Sequence, residues 1–334
     1  MGFISGTKGY HMVKISIAAL IYKSTRFAEW LYDSIHEFTP LVRSGEAEFF
    51  FIANDPTEKL VAFLEQKGYP YYVNHNPRRT EEELFRLGYG TPEYIHRVYR
   101  GWNQAILRAK GELVVLLNSD NYVSPDWLEN MLKYMGRDKV VCSQLVERKH
   151  PKYDVFPGAY HAEFGSLPDN FDKQGFLQFV LRQKITGLRQ GGAYMPCMLY
   201  KDQAAEVGLY PEGNLAGNSF NDVVGYGDEV FFNKLARIGV QHVTALDSIV
   251  YHLKEGEMDF DVAAEPGVDQ RSAELFSRGA EHLEKAVHCF YEAINLEPGI
   301  TAKSVEALNI IDVIKKYDAF QKMKSEVVAG MVKK

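Results

Sequence analysis

The sequence contains few cysteines, no long apolar run and no excess of positive charge. Its 334 residues include three cysteines. Cys142, Cys197 and Cys289 are odd in number and far apart along the chain, which argues against a disulfide framework and against a thiolate metal site. No apolar stretch approaches the length of a transmembrane helix, and the formal net charge of −6 gives no support to a nucleic-acid partner. We expect a soluble, cytoplasmic protein, with peripheral attachment to a membrane left open.

A glycine fingerprint for dinucleotides is also missing. The first predicted strand, residues 15–20, is followed by Ile21-Tyr22-Lys23-Ser24. A dinucleotide-binding fold would carry a Gly-x-Gly-x-x-Gly turn there, because that turn lets the backbone approach a pyrophosphate. A dinucleotide cofactor therefore loses its best support.

Apolar runs and amphipathic segments alternate in the first half of the chain. The runs predict strands over residues 15–20, 48–53, 71–73 and 113–117, with helices between most of them. Later in the chain, residues 140–146 and 240–243 are further strand candidates, and 248–251 form another apolar run. Such alternation is typical of a parallel sheet with right-handed crossover connections. We predict an α/β fold with a Rossmann-like, mostly parallel sheet flanked by helices.

The predicted strand at residues 113–117 leads to the first candidate site. Its five apolar residues predict burial on both faces, and the chain continues as Asn118-Ser119-Asp120-Asn121. Because ligands bind beyond the carboxyl ends of strands in open α/β sheets, Asp120 is a candidate ligand for a hard divalent cation. The alternative is a plain turn in which Ser124 caps the next helix and Pro125 lies in its first turn.

Two further positions are candidates for contact with a nucleotide. Asp55 follows the second predicted strand, where a carboxylate can accept hydrogen bonds from a base or a ribose. Its alternative role is to cap the helix predicted over residues 58–67. Arg97 and Arg100 lie on a helix predicted over residues 94–110, where they either face a nucleotide or are solvated.

Residues 147–189 lose clear periodicity and are rich in aromatic side chains. Long irregular insertions are often functional, and aromatic faces stack well on sugar rings. Ordinary core packing is the alternative use of these aromatics. The glycines of Gly191-Gly192-Ala193 then permit close approach of the backbone.

Two carboxylates and a histidine are the last candidate site residues before the acidic segment that begins at residue 254. A glycine-containing loop over residues 211–227 leads into Asp228 and Glu229 at the head of a predicted helix. They are either a general base on a flexible loop or favourable charges at a helix amino terminus. His252 follows the apolar run 248–251 and is either a metal ligand or a structural histidine.

The remaining chain predicts two further units. Residues 254–271 are acidic and patternless, which indicates a linker or a lid. Residues 272–334 have the spacing of a helical hairpin and predict a small α-helical annex. One such unit cannot bury its apolar face alone, so we expect it to pack on the main domain, on a second copy of the chain or on a partner protein.

Taken in order, these motifs resemble the sugar-nucleotide glycosyltransferases of the GT-A fold, family 2 type. The resemblance covers roughly residues 14–253 of the domain predicted over residues 12–253, and the annex resembles a tetratricopeptide-like repeat. The resemblance implies that seven residues, which follow predicted strands or lie on a helix, contact the nucleotide sugar. They are Tyr22, Asp55, Arg97, Asn103, Asn118, Asp120 and Gly192.

The resemblance also implies a metal site and a catalytic base. Asp120 matches the metal-binding aspartate of the family's D-x-D region, in which Asn118 replaces the first aspartate. His252 matches the histidine that completes the metal site in many members. Asp228 and Glu229 match the acidic pair that includes the base, and the register between them is ambiguous by one residue.

These assignments imply an inverting hexosyl- or deoxyhexosyltransferase. Its donor would be a nucleoside-diphosphate sugar, its cofactor Mn²⁺ or Mg²⁺, and its acceptor a glycan, a lipid or a protein. One alternative is a sugar-phosphate nucleotidyltransferase, which would need a glycine-rich, basic loop after the first strand. Another is a non-catalytic binding or scaffold protein with a degenerate GT-A site, which Asn118 and the helical annex favour.

Overall fold

The computed structural model describes residues 14–150, 155–183 and 185–254. The predicted linker and helical annex lie outside the described residues, apart from Lys254. In the described part of the chain, no helix is both long enough and apolar enough to cross a membrane.

Strands and helices alternate as predicted. The strands are β1 (Ile15–Ile21), β2 (Ala47–Asn54), β3 (Tyr71–Asn74), β4 (Tyr89–Gly90), β5 (Leu113–Leu117), β6 (Asn121–Val123), β7 (Lys139–Glu147), β8 (Tyr160–His161), β9 (Leu188–Gln190), β10 (Cys197–Tyr200), β11 (Asn214–Ala216), β12 (Val223–Gly225) and β13 (Gln241–His252). The helices are α1 (Thr25–Phe38), α2 (Pro40–Ser44), α3 (Glu58–Lys67), α4 (Glu81–Arg86), α5 (Ile95–Arg108), α6 (Trp127–Tyr134), α7 (Lys173–Arg182), α8 (Lys201–Glu206) and α9 (Gly227–Arg237).

The central sheet has the strand order β3-β2-β1-β5-β10-β7-β13-β6. Its first four strands run parallel to one another, and β7 runs parallel to β13. Strand β10 is antiparallel to both of its neighbours, and β6 is antiparallel to β13. The predicted α/β class with a mostly parallel sheet is therefore confirmed.

Apolar residues on both faces explain why this sheet lies inside two helical layers. Ile17 is paired with Val115, and both belong to one core cluster. The next residue, Ala18, is paired with Leu116, and both belong to a second cluster. Because successive side chains of a strand point to opposite faces, a continuous apolar run fills both clusters at once.

Two sequence predictions need correction, and one strand is an addition to them. Helix α6 begins at Trp127 and Ser124 does not cap it, because the Ser124 hydroxyl donates to the carbonyl of Pro125 instead. Strand β6, only three residues long, was not predicted. Residues 211–227 are not simply a flexible loop, since β11 and β12 pair within them and extend to β4.

The irregular aromatic segment contains helix α7 and contributes to the core. Asp172 caps α7 by accepting a hydrogen bond from the Gly175 amide, and that glycine interrupts the apolar pattern from which a helix would be predicted. Phe176 and Phe164 are buried in the first core cluster. Core packing is thus the role of these aromatics. Tyr153, another aromatic residue of this segment, lies outside the described residues.

Candidate active site

Strand register brings the candidates Asp120 and His252 together with Glu147 at the carboxyl ends of neighbouring strands. His252, the last residue of β13, is paired with Glu147 on β7 and with Asn121 on β6. Asp120 immediately precedes β6, and its carbonyl accepts a hydrogen bond of 3.0 Å from the Leu253 amide. The side chains of Asp120, His252 and Glu147 therefore meet beyond the carboxyl ends of β7 and β13.

The imidazole of His252 lies between two carboxylates. Its Nε2 is 3.2 Å from Oδ2 of Asp120, and its Nδ1 is 2.8 Å from Oε1 of Glu147. The side chains of Asp120 and Glu147 are 6% and 2% exposed. Burial alone would lower the pKa of His252, but the adjacent charge of Asp120 and the contact with Glu147 outweigh it and raise the pKa to about 10.

The donors present fit one end of a divalent-cation site. Oδ2 of Asp120 and Nε2 of His252 are close enough to bind one ion, and carboxylate oxygen with imidazole nitrogen suits Mn²⁺. Among the described residues, no group of three or more histidine, cysteine or acidic side chains is arranged to hold a metal. Asn118 lies in the same turn as Asp120, where its backbone amide donates a hydrogen bond to Oδ1 of Asn121.

The acidic pair lies at the start of helix α9. The Gly227 amide donates to Oδ1 of Asn214, and Oδ1 of Asp228 is 3.4 Å from the Tyr99 hydroxyl. Burial raises the pKa of Asp228. Burial also raises the pKa of Glu229, and the charge of Asp228 raises it further.

Tyr194 relates this pair to the edge that carries Asp120. Strand β10 begins at Cys197, which is paired with Leu116 near the carboxyl end of β5. Tyr194 precedes that strand by three residues. The ring of Tyr194 packs against the ring of Phe232 at 4.7 Å between centroids, and Phe232 lies about one turn after Asp228 on helix α9. Helix α9 therefore presents its carboxylates at the same end of the sheet.

The predicted nucleotide contacts Tyr22 and Asp55 also lie at this edge. Ile21 at the end of β1 is paired with Ala53 on β2, so the residues that follow these strands are neighbours. The carboxylate of Asp55 accepts hydrogen bonds from the backbone amide of Asn76 (2.8 Å) and from its side chain (3.0 Å).

Asp55 does not cap helix α3. The hydroxyl of Thr57 accepts the hydrogen bond of the Leu60 amide and so performs that role. Arg97, in the first turn of helix α5, lies close to the same edge, because its carbonyl accepts a hydrogen bond from the side chain of Asn54. Contacts of Tyr22, Asp55 and Arg97 with a nucleotide stay predictions.

Two other predicted contacts have clear roles within the fold. The side-chain amide of Asn103 makes two hydrogen bonds of 2.9 Å with the backbone of Tyr210. Together with the ion pair of Arg100 and Glu212, this ties α5 to the segment before β11. Gly192 has φ +123°, and a Cβ at this position would overlap the hydroxyl of Thr244 on β13. Contact of either residue with a donor stays a prediction.

Sequence reasoning missed Glu147, Tyr99, Asn214 and Asn76. Glu147 offered a signal, since it directly follows the apolar run that predicts β7, as Asp120 follows the apolar run of β5. The other three had none, because each acts through a partner that is distant in the sequence.

The family comparison matches a part of the chain that includes Asp120. Residues 82–206 match the model of the family described as glycosyl transferase family 2. No curated protein matches the chain.

Solved structures give distant similarities. The structure of GalNAc-T7 with UDP, GalNAc and Mn²⁺ is 16% identical, with a TM-score of 0.44, and the match covers 72% of this chain but only 44% of that one. The mannosyltransferase PcManGT from Pyrobaculum calidifontis, in complex with GDP-Man and Mn²⁺, is 14% identical, with a TM-score of 0.44 and coverage of 96% and 86%. The S. aureus TarS 1-349 structure is 13% identical, with a TM-score of 0.45 and coverage of 95% and 92%. The predicted resemblance to family 2 glycosyltransferases is confirmed by the family match over residues 82–206.

Proposed function

We propose that this chain is an inverting glycosyltransferase that moves a sugar from a nucleoside-diphosphate sugar to an acceptor hydroxyl with the help of a divalent cation. The observation that carries the proposal is the meeting of Asp120 with His252, at 3.2 Å, beyond the ends of the sheet strands. Asp120 lies within the segment that matches the family, whereas His252 lies outside it. The geometry therefore supports the proposal independently of the family match.

The donor would lie along the edge that runs from Tyr22 to His252. Asp55, held by Asn76, would accept hydrogen bonds from the base or the ribose. Asp120 and His252 would hold the cation, which neutralises negative charge on the leaving diphosphate. Asn118 would contribute an uncharged amide where other family members have a carboxylate.

The transfer would be a single displacement. The acceptor oxygen forms a bond to the anomeric carbon on the face opposite the diphosphate. The bond from that carbon to the phosphate oxygen breaks, and its electron pair leaves with the nucleoside diphosphate. The proton of the acceptor hydroxyl passes to a carboxylate of helix α9, a role worth roughly 10²- to 10⁴-fold in rate. One displacement inverts the configuration at the anomeric carbon.

Within the acidic pair, we assign the base to Glu229. The carboxylate of Asp228 already accepts hydrogen bonds from the Glu229 amide and from the Tyr99 hydroxyl. Among the described residues, no side chain or backbone group donates to the Glu229 carboxylate, which leaves it available to an acceptor hydroxyl. Burial raises the pKa of Glu229, and the adjacent charge of Asp228 raises it further, which makes Glu229 a stronger base.

Calorimetric titration with UDP, GDP and dTDP, each with and without Mn²⁺, tests the proposal. We expect at least one diphosphate to bind and its affinity to depend on Mn²⁺. A screen of the matching sugar nucleotides should then release nucleoside diphosphate in the presence of Mn²⁺. Absence of binding in every condition would contradict the enzyme and favour a non-catalytic scaffold. Turnover only with a nucleoside triphosphate and a sugar phosphate would favour a nucleotidyltransferase.

A further inference from the structure

We propose that Glu147 is a positioning residue that prepares His252 to bind the cation. This inference rests on the proposed function, because it assigns a part in the same metal site. Glu147 ends β7 and is paired directly with His252 across the parallel pair β7 and β13. Its side chain is 2% exposed, and its Oε1 is 2.8 Å from Nδ1 of His252.

The contact with Glu147 decides which nitrogen of His252 faces the ion. A carboxylate accepts hydrogen bonds and does not donate them, so Nδ1 must carry the hydrogen that points to Glu147. The other nitrogen, Nε2, lies 3.2 Å from Oδ2 of Asp120 and is the one whose hydrogen a cation would displace to bind the ring. A carboxylate behind a ligating histidine fixes the tautomer and the ring orientation and makes the imidazole a stronger donor.

The remaining contacts of Glu147 hold its carboxylate in place. Oε2 accepts a hydrogen bond of 2.7 Å from the Phe156 amide and lies 3.1 Å from Nζ of Lys254. The Lys254 side chain is 10% exposed, so the buried negative charge of Glu147 is balanced by a largely buried cation. A buried, fully bonded carboxylate can orient a histidine more rigidly than a solvated one.

Direct coordination by Glu147 does not fit this arrangement. Its Oε1 contacts Nδ1, whereas Asp120 lies beside Nε2 on the other side of the imidazole. An ion between Asp120 and Nε2 is therefore separated from Glu147 by the ring. Glu147 would act on the ion only through His252.

Binding of Mn²⁺ alone, and of Mn²⁺ with UDP, tests this role without an activity assay. Free Mn²⁺ can be measured by electron paramagnetic resonance. The informative comparison is Lys254→Met against the double variant Glu147→Gln/Lys254→Met, because removing the lysine first prevents its ammonium group from facing a new amide. We expect the double variant to bind Mn²⁺ about 10- to 100-fold more weakly than Lys254→Met.

Glu48 provides a matched control. It is a partly buried glutamate that accepts hydrogen bonds from Ser16 (2.6 Å) and pairs with Lys110 (2.7 Å). It lies near the amino end of β2, whereas the site lies beyond the carboxyl ends of the strands. Glu48→Gln should bind Mn²⁺ within about twofold of the wild type, since it perturbs a similar ion pair away from the ion.

The Mn²⁺ affinities of these variants decide the role of Glu147. Weaker Mn²⁺ binding with an unchanged melting temperature supports it, and equal binding by Lys254→Met and the double variant overturns it while the proposed function stands. If the double variant does not fold, Glu147→Asp keeps the charge but shortens the side chain. Its affinity should then lie below that of the wild type, and an unchanged affinity would overturn the role. If the wild type binds no Mn²⁺ in either condition, both the metal site and the role of Glu147 are wrong.

Discussion

Gly227 lies directly against the ring of Tyr99, so closely that a Cβ at position 227 would overlap the ring. The same tyrosine donates through its hydroxyl to Asp228, and Asn214 accepts a hydrogen bond from the Gly227 amide. The first turn of α9 is thus fixed from two sides. This contact sets the position from which the acidic pair faces the edge of the sheet.

The contact predicts a strong effect for Gly227→Ala. The added methyl group must displace Tyr99 or the start of α9, which should cost about 1–3 kcal/mol in the free energy of unfolding. Turnover should fall further than this loss explains, because Asp228 and Glu229 move with the turn. Chemical denaturation and steady-state kinetics measure the two effects separately.

Gly225→Ala is the matched control for that variant. A Cβ at Gly225 would meet a methyl group of Val230 at 3.2 Å, and the flexible end of a side chain can yield. We expect smaller losses of both stability and turnover. Equal behaviour of the two alanine variants would contradict the steric role of Gly227.

Asp120→Asn should remove Mn²⁺-dependent turnover while the fold persists. The amide keeps the shape of the side chain but loses the charge that a cation requires, so turnover should fall roughly a hundredfold or more. Sugar-nucleotide hydrolysis at saturating Mn²⁺ measures the loss, and circular dichroism monitors the fold. Asp126→Asn is a suitable control, because this exposed aspartate has φ +60°, which asparagine also tolerates. Retained turnover in Asp120→Asn would exclude Asp120 from the metal site.

The elements that the sequence predicted best have a pattern complete in themselves. Helix α3 has its apolar residues, a threonine at its start and Gly68 in the left-handed conformation at its end, and the structure bounds it at residues 58 and 67 as predicted. Strand β5 was equally clear, because a buried parallel strand is apolar throughout. Local chemistry was sufficient for both.

The contacts within the site could not be predicted, because they depend on how distant segments of the chain pair. Asp120 and His252 were each suggested by their position after an apolar run, and by resemblance, but their contact requires the register of β13 against β6 and β7. That register shifts between Ala245 and Ile249, where β13 is irregular, so its two halves were predicted as separate strands. No pattern in the sequence sets such a shift, since pairing partners decide it.

The acidic pair predicts the pH dependence of turnover. Burial raises the pKa of Glu229 above that of an ordinary glutamate, and the charge of Asp228 raises it further. A base must be deprotonated, so kcat/KM at saturating Mn²⁺ should fall at acidic pH, with a midpoint above the ordinary value of about 4.3. Asp228→Asn removes the adjacent charge and should move this midpoint to lower pH.

Two results would contradict the assignment of Glu229 as the base. The midpoint of the fall in kcat/KM at acidic pH could be the same in Asp228→Asn as in the wild type, which would mean that Glu229 does not control it. Glu229→Gln could keep wild-type turnover, which would mean that the base is elsewhere. Glu206→Gln is the control, because Glu206 is an exposed glutamate that ends helix α8 and lies away from the candidate site.

His242 predicts a loss of stability in acid that is independent of catalysis. Its Nε2 lies 3.2 Å from the Ala193 carbonyl, and its ring packs against Tyr194 and Phe232. Burial lowers its pKa from 6.5 to about 4, so the unfolded chain binds this proton more readily than the folded chain. The stability that neutral His242 confers is therefore complete above pH 6.5 and is lost as the pH falls to about 4. Since the side chain is only partly buried, we expect a loss of roughly 2 kcal/mol.

Replacing His242 with glutamine tests this loss. The amide can still donate to the Ala193 carbonyl but does not titrate, so the free energy of unfolding should decline less between pH 6.5 and pH 4 than in the wild type. Urea denaturation at several pH values measures the difference. His161→Gln, at an exposed histidine, is the control and should follow the wild-type profile. Parallel profiles for the wild type and His242→Gln would show that burial of His242 does not couple folding to protons in this range.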